Sequence, residues 1–146
     1  MNARTKVFIV DRDCASLVSL MLWLDQFADL EVTGATADAT SMAGALVGQV
    51  KRAQPDVVLV DLASAIEIAD TTVFPTTLVK AIKSAAGEPG ILIRGQHDQE
   101  IALAAETDGY FGPKSSIKEL ADAIRKIANK RRLALSAANM PMTKAG

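Results

Sequence analysis

The strongest constraint in this chain is a recurring unit, a short and wholly apolar run that stops at a charge and is followed by an amphipathic stripe. Val7-Phe8-Ile9-Val10 stops at Asp11, and Val57-Val58-Leu59-Val60 stops at Asp61. A run with no polar alternation reads as a strand buried on both faces, as in a parallel sheet. Leu17, Leu20, Met21, Leu24 and Phe27 recur at steps of three and four. That is one buried stripe of a helix, with Asp13 or Ser16 as its cap. Leu30 to Ala35 reads as a weaker second strand. Met42, Ala43, Leu46, Val47 and Val50 repeat the helical stripe before Pro55. Residues 62–76 show no period and read as a long loop. Leu78, Val79 and Ile82 predict a helix up to Ala86, ended by Gly87. Ile91-Leu92-Ile93 is a fourth strand, Asp98 to Glu106 a short helix, and Tyr110-Phe111 a fifth strand. Ile117, Leu120, Ala121, Ile124, Ile127 and Ala128 make the clearest helical stripe, opened by Ser115 or Ser116 with Glu119 in capping-box position.

Strand and helix alternate five times. This predicts an α/β fold, a doubly wound five-stranded parallel sheet in the order 2-1-3-4-5 with helices on both faces, flavodoxin-like. The 146 residues fit one domain, expected over 1–132, with 133–146 a flexible C-terminal tail or linker. Sixteen Lys+Arg against seventeen Asp+Glu exclude a strongly basic nucleic-acid coat and a polyacidic tail. One Cys excludes a disulfide framework or Cys-rich zinc site, and one His a multi-histidine metal centre. With 25 alanines and few aromatics, the core is expected to be aliphatic. No signal peptide or membrane span is visible, so the expected location is the cytoplasm, with no membrane partner.

Ligands of such sheets gather at the carboxyl ends of the strands, beside the first and third. Those strands end in Asp11, with Asp13 just beyond, and in Asp61. Carboxylates converging from separate strands suit a hard cation such as Mg²⁺. One strand-ending Asp is commonly a cap or turn residue, whereas two on these particular strands favour a site. Other residues have plainer readings. Cys14 is expected to pack at a helix start, His97-Asp98 to form a solvent-facing cap, and Trp23 to lie off the main stripe, partly exposed. The run from Lys126 to Arg132 suits the negative end of a helix dipole, with a linker or a nucleic-acid contact as alternatives. A flavodoxin-like cofactor binder would need a Ser, Thr and Gly-rich phosphate loop after the first strand, and Asp11-Arg12-Asp13 is the wrong chemistry for it.

Three segments together resemble the receiver domain of two-component response regulators, over about residues 5 to 132. They are Val7 to Asp13, Pro55 to Leu62, and Gly109-Tyr110-Phe111 followed by Ser115 to Leu120 and Ala123-Ile124. The resemblance implies that Asp61 is the phosphoacceptor, taking a phosphoryl group from a histidine kinase. It implies a Mg²⁺ site made by Asp11, Asp61 and the backbone carbonyl of Ala63. Tyr110 matches the aromatic residue whose rotation reports phosphorylation on the face of the last strand and helix.

This chain departs from the family pattern at several positions. Arg12 stands where the second acidic residue belongs, and Asp13, one position further along, could serve as the metal ligand instead if the turn bends. Arg94 replaces the Ser or Thr that ends the fourth strand. The family's phosphate-binding Lys falls on Pro113, a one-residue shift would let Lys114 take that role, and the Pro that usually follows the phosphoacceptor is missing. Arg12 or Arg94 reaching a carboxylate competes with the metal, although Arg94 also suits a phosphoryl group. The expectation is therefore an atypical receiver, not an enzyme, with weakened or absent phosphorylation of Asp61. It would act through contacts with a histidine kinase or other signalling protein and admits a homodimer. The alternative is an active, Mg²⁺-dependent phosphoacceptor, the N-terminal part of a transcriptional regulator. Nucleic acid is expected only through an output domain outside these residues.

Overall fold

A computed structural model of the chain describes residues 4–11, 13–36, 43–61, 82–84, 87–94, 108–112 and 116–138, with the backbone alone for 43–47, 61 and 138. The strands are β1 (Thr5–Val10), β2 (Leu30–Thr36), β3 (Val57–Asp61), β4 (Gly90–Arg94) and β5 (Gly109–Phe111). The helices are α1 (Cys14–Asp25), α2 (Ala43–Ala53) and α3 (Ile117–Ala138). All strand pairs are parallel, in the order β2-β1-β3-β4-β5 predicted from the alternation. The expected helix at 98–106 and the loop at 62–76 lie outside the described residues. Among the described residues, no helix is long and apolar enough to cross a membrane.

The apolar runs are buried on both faces, as a parallel sheet requires. Val7, Ile9, Val57, Leu59 and Leu92 share a core with Leu17, Leu20 and Leu24 of α1 and Leu120, Ala121, Ile124, Ile127 and Ala128 of α3. Successive side chains alternate across a strand. Phe8, Val10, Val58, Val60, Ile91 and Ile93 therefore serve the opposite face, the side of α2, and all are buried. Gly34 lies between Phe8 and Ala53 of α2. A Cβ there would stand 2.7 Å from the Phe8 ring, and the β1–β2 register slips by one residue at this point. Gly90 plays the same part on the other layer, since a Cβ would overlap the Ile127 side chain of α3.

Both predicted caps form. Asp13 is the N-cap of α1 and accepts from the Ala15 and Ser16 amides. Ser116 and Glu119 close a reciprocal capping box at the start of α3. Three expectations change. Met21, placed in the buried stripe, is exposed, because the core-facing arc of α1 is narrow and filled by Leu17, Leu20 and Leu24. Cys14, expected to pack, is exposed at the first turn. The basic run does not end its helix, because α3 continues past the expected boundary at 132 to Ala138.

Two arginines of that run fasten α3 to the amino edge of the sheet instead. Arg131 donates from Nη1 to Asp56 Oδ1 (3.0 Å), from Nε to the Glu88 carbonyl (2.9 Å) and from Nη2 to the Gly87 carbonyl (2.9 Å). Gly87 and Glu88 both have positive φ, so the guanidinium holds a strained turn in place. Asp56 also accepts from the Lys6 amide, and Arg132 reaches Thr5 Oγ1.

Earlier in α3, Arg125 grips Asp29 through two nitrogens, at 2.7 and 3.0 Å, and lies over the Phe27 ring. The hydrogen bond from Arg125 holds the Asp29 carboxyl below its ordinary value, Arg125's charge adds to this, and burial opposes it. A depressed folded-state value stabilises the fold above the unfolded pKa, and that contribution is lost as pH falls through the folded value. Arg125→Ala should raise the Asp29 carboxyl toward its ordinary value, as read by carboxyl NMR titration. Gly90→Ala should cost about 1–3 kcal/mol in urea unfolding, because Ile127 cannot yield without moving α3.

Candidate functional site

The carboxyl edge of the sheet places the ends of β1, β3 and β4 side by side. Asp11 follows β1 directly, and its amide donates to the Thr36 carbonyl at the end of β2 (3.0 Å). Its side chain is folded inward, leaving the residue 2 % exposed. A buried carboxylate is costly unless charge and hydrogen bonds compensate it. Both oxygens are engaged. Oδ1 accepts the Asp13 amide at 3.0 Å, and Oδ2 faces Arg94 Nη1 at 3.4 Å.

Arg94 is the last residue of β4 and stands in register with Asp61, the last residue of β3. Two strand spacings of about 4.8 Å separate β4 from β1, with β3 between. To meet Asp11, the Arg94 side chain must therefore cross the end of β3. The same Nη1 donates to Ser16 Oγ in the first turn of α1 at 3.0 Å. One guanidinium thus ties the ends of β4 and β1 to the start of α1, directly above the third strand.

Asp13 is brought near Asp11 but turned to other work. Its Oδ1 caps α1, and its backbone amide is the donor to Asp11. Asp61 has the strand-end position expected of it. Tyr110 is half-buried in the middle of β5, opposite Ile93 of β4. Arg12, Ala63 and Lys114 lie outside the described residues. Ser16 is the residue that sequence reading assigned only to capping. Its hydroxyl suits a helix start equally well, and nothing local links it to a residue 78 positions away.

These groups bear on Mg²⁺ through their chemistry. The ion takes near-octahedral oxygen ligands and keeps several waters. Asp11 instead offers one oxygen already facing an amide and one facing a fixed cation. A guanidinium within about 4 Å of a bound divalent cation costs on the order of 8 kcal/mol at an effective dielectric near 20. The described residues therefore do not fit the ion while Arg94 holds this position. Among the described residues, no group of three or more His, Cys, Asp and Glu side chains could hold a metal.

No protein-family model matches the chain, and no curated protein matches it. Solved structures do. A response regulator receiver domain protein from Clostridium thermocellum superposes with a TM-score of 0.67 at 18% identity, over 89% of this chain and 98% of that one. The signal receiver domain of a modulated diguanylate cyclase from Desulfovibrio desulfuricans G20 gives 0.71 at 16%, over 90% and 98%. The response regulator domain of Thermotoga maritima CheB gives 0.66 at 18%, over 86% and 97%. The chain has the fold of receiver domains across most of its length.

The pairing at Asp11 predicts a defined stability cycle. Arg94→Ala should cost about 1–3 kcal/mol in urea unfolding, because a buried carboxylate loses its counter-charge. Asp11→Asn should cost less in the Arg94→Ala background than in the wild type, since it removes the orphaned charge. Additive costs would show that the pair is not coupled.

Proposed function

We propose that this chain is an atypical receiver, a cytoplasmic signalling module that works through protein contacts and in which phosphorylation of Asp61 is weakened or absent. The observation that carries this reading is the Arg94 guanidinium on Asp11, spanning the end of β3. In receiver chemistry the phosphoryl group is transferred to a carboxylate with a divalent ion neutralising charge between them. Here a fixed cation already satisfies Asp11, and it also bonds α1 through Ser16. The crevice is thereby cross-linked by the chain's own side chains. Its role is to hold a surface in shape for a histidine kinase or another signalling protein, not to catalyse an output reaction. Tyr110, on the strand beside Arg94 and next to α3, is the residue through which this face would register a change in the crevice.

A second reading is favoured by one specific feature. Asp61 ends β3 directly opposite Arg94, and a guanidinium can bind a phosphoryl group in bidentate fashion. In that case Arg94 would leave Asp11 on phosphorylation, and the domain would be an active Mg²⁺-dependent phosphoacceptor.

Incubation with acetyl phosphate and Mg²⁺, followed by intact mass measurement, separates the two. The atypical reading expects no more than a trace of singly phosphorylated wild type. It expects more adduct in Arg94→Thr, which restores a hydroxyl and frees Asp11. Efficient addition of one phosphoryl group to the wild type, abolished by Asp61→Asn, would overturn it in favour of the second reading.

A further inference from the structure

We infer that Ser16 is a positioning residue, whose hydroxyl decides which of two aspartates receives the charge of Arg94. The inference rests on the reading of the crevice as one that Arg94 neutralises, and it concerns how that charge is directed. Two strand-end aspartates compete for the guanidinium. Asp61 ends β3 in register with Arg94, one strand spacing or about 4.8 Å away by backbone position. Asp11 follows β1, two spacings or about 9.6 Å away. Coulomb attraction falls inversely with distance, and stretching a long side chain gives up rotamer freedom. By both measures Asp61 is the easier partner. Arg94 nevertheless crosses β3 to Asp11.

The Asp11 contact does not account for that choice. Among the described residues it is made through one nitrogen, Nη1, at 3.4 Å. A charge-assisted bond runs at about 2.7–2.9 Å, and arginine and carboxylate form a two-nitrogen fork when they are free to align. Arg125 makes that fork on Asp29, at 2.7 and 3.0 Å. Arg94 Nη1 instead meets Ser16 Oγ at 3.0 Å, an ordinary hydrogen-bond length. The guanidinium is seated on the hydroxyl, and Asp11 takes the charge at the distance this leaves.

Ser16 can serve as a fixed point because its backbone is pinned. Its amide donates to Asp13 Oδ1 at 3.4 Å, the Leu17 amide donates to the Asp13 carbonyl at 2.9 Å, and Leu17 is buried in the core. The Asp13 amide in turn holds Asp11 Oδ1. One short turn therefore carries both the hydroxyl that seats Arg94 and the carboxylate that Arg94 compensates. The start of α1 thus selects Asp11, and without the hydroxyl the guanidinium falls back over the end of β3, to Asp61.

Double-mutant cycles in urea unfolding identify the partner of Arg94. Arg94→Ala is combined with Asp11→Asn and, separately, with Asp61→Asn, once in the wild type and once in Ser16→Ala. In the wild type, coupling of Arg94 to Asp11 should exceed its coupling to Asp61 by about tenfold in the unfolding equilibrium constant. In Ser16→Ala the order should reverse, and Ser16→Thr, which keeps a hydroxyl, should restore it. A Ser16 that serves only the helix would lower stability in Ser16→Ala and leave the order unchanged, a result that overturns the proposal. A wild type in which Arg94 couples more strongly to Asp61 overturns it too, as does stronger coupling to Asp11 in Ser16→Ala. The cycles use neither a phosphoryl donor nor a metal. Efficient phosphorylation of the wild type would therefore sink the atypical reading alone, and an unchanged order of coupling would sink this one alone.

Discussion

A carboxylate pulled out of water beside a sheet sets the terms for everything around it. Asp11 is almost wholly buried and needs compensation on both oxygens. An amide from the adjoining turn supplies one partner, and Arg94 supplies the counter-charge. Arg94 can deliver it only because the crossovers place β4 one strand beyond β3, within reach of a long side chain but not a short one. A Thr or Ser at position 94 could not span that distance. Arg94 thus gives the crevice a counter-charge of its own.

The opposite edge of the sheet solves the same problem in the same way. Asp56 sits at the entry to β3, accepts the Lys6 amide and is paired with Arg131 from α3. The arginine also gathers the carbonyls of the strained turn before β4. β3 is therefore bounded at both ends by arginines that arrive from elsewhere in the chain. An arginine serves here because its planar fork can satisfy several acceptors at once, which a lysine ammonium cannot do in fixed geometry. The extension of α3 beyond 132 follows from this. Arg131 and Arg132 anchor the helix to the sheet, so the residues after them continue from a fixed base.

The strands and both caps were legible because each rests on local signals, and the sheet order because alternation with right-handed crossovers leaves few topologies. Apolar runs stop at charges, and Ser116 with Glu119 is a local capping pattern. Met21 misled because periodicity gives the direction of a stripe but not its width, and three leucines already fill the contact. The basic run of α3 misled for a different reason. Position near an apparent helix end suggested the dipole, whereas the partners of Arg131 and Arg132 lie 75 and 127 residues away. Arg94 was legible as an anomaly, because it falls at a strand end where a hydroxyl was expected. Its two partners, Asp11 and Ser16, become visible only once β1, β3 and β4 stand in order. Sequence patterns thus identify the groups available for a site, and the long-range ion pairs that decide its chemistry emerge from topology.

The nearly neutral charge total conceals a strict segregation between two helices of one layer. α1 and α3 bury comparable apolar stripes against the same strands. Their outer surfaces are opposites, since one has no charge between Cys14 and Leu24 and the other is studded with lysines and acids. Core packing cannot account for that difference, because both inner faces are satisfied. Solubility would favour charge on both outer faces. The uncharged face of α1 is also the one whose first turn is bonded to the crevice through Ser16 and Arg94. The same guanidinium that compensates Asp11 therefore fixes the end of the helix that presents the apolar surface. A change that draws Arg94 away from Asp11 also releases its hold on α1, so the crevice and the helix face are mechanically joined by one side chain.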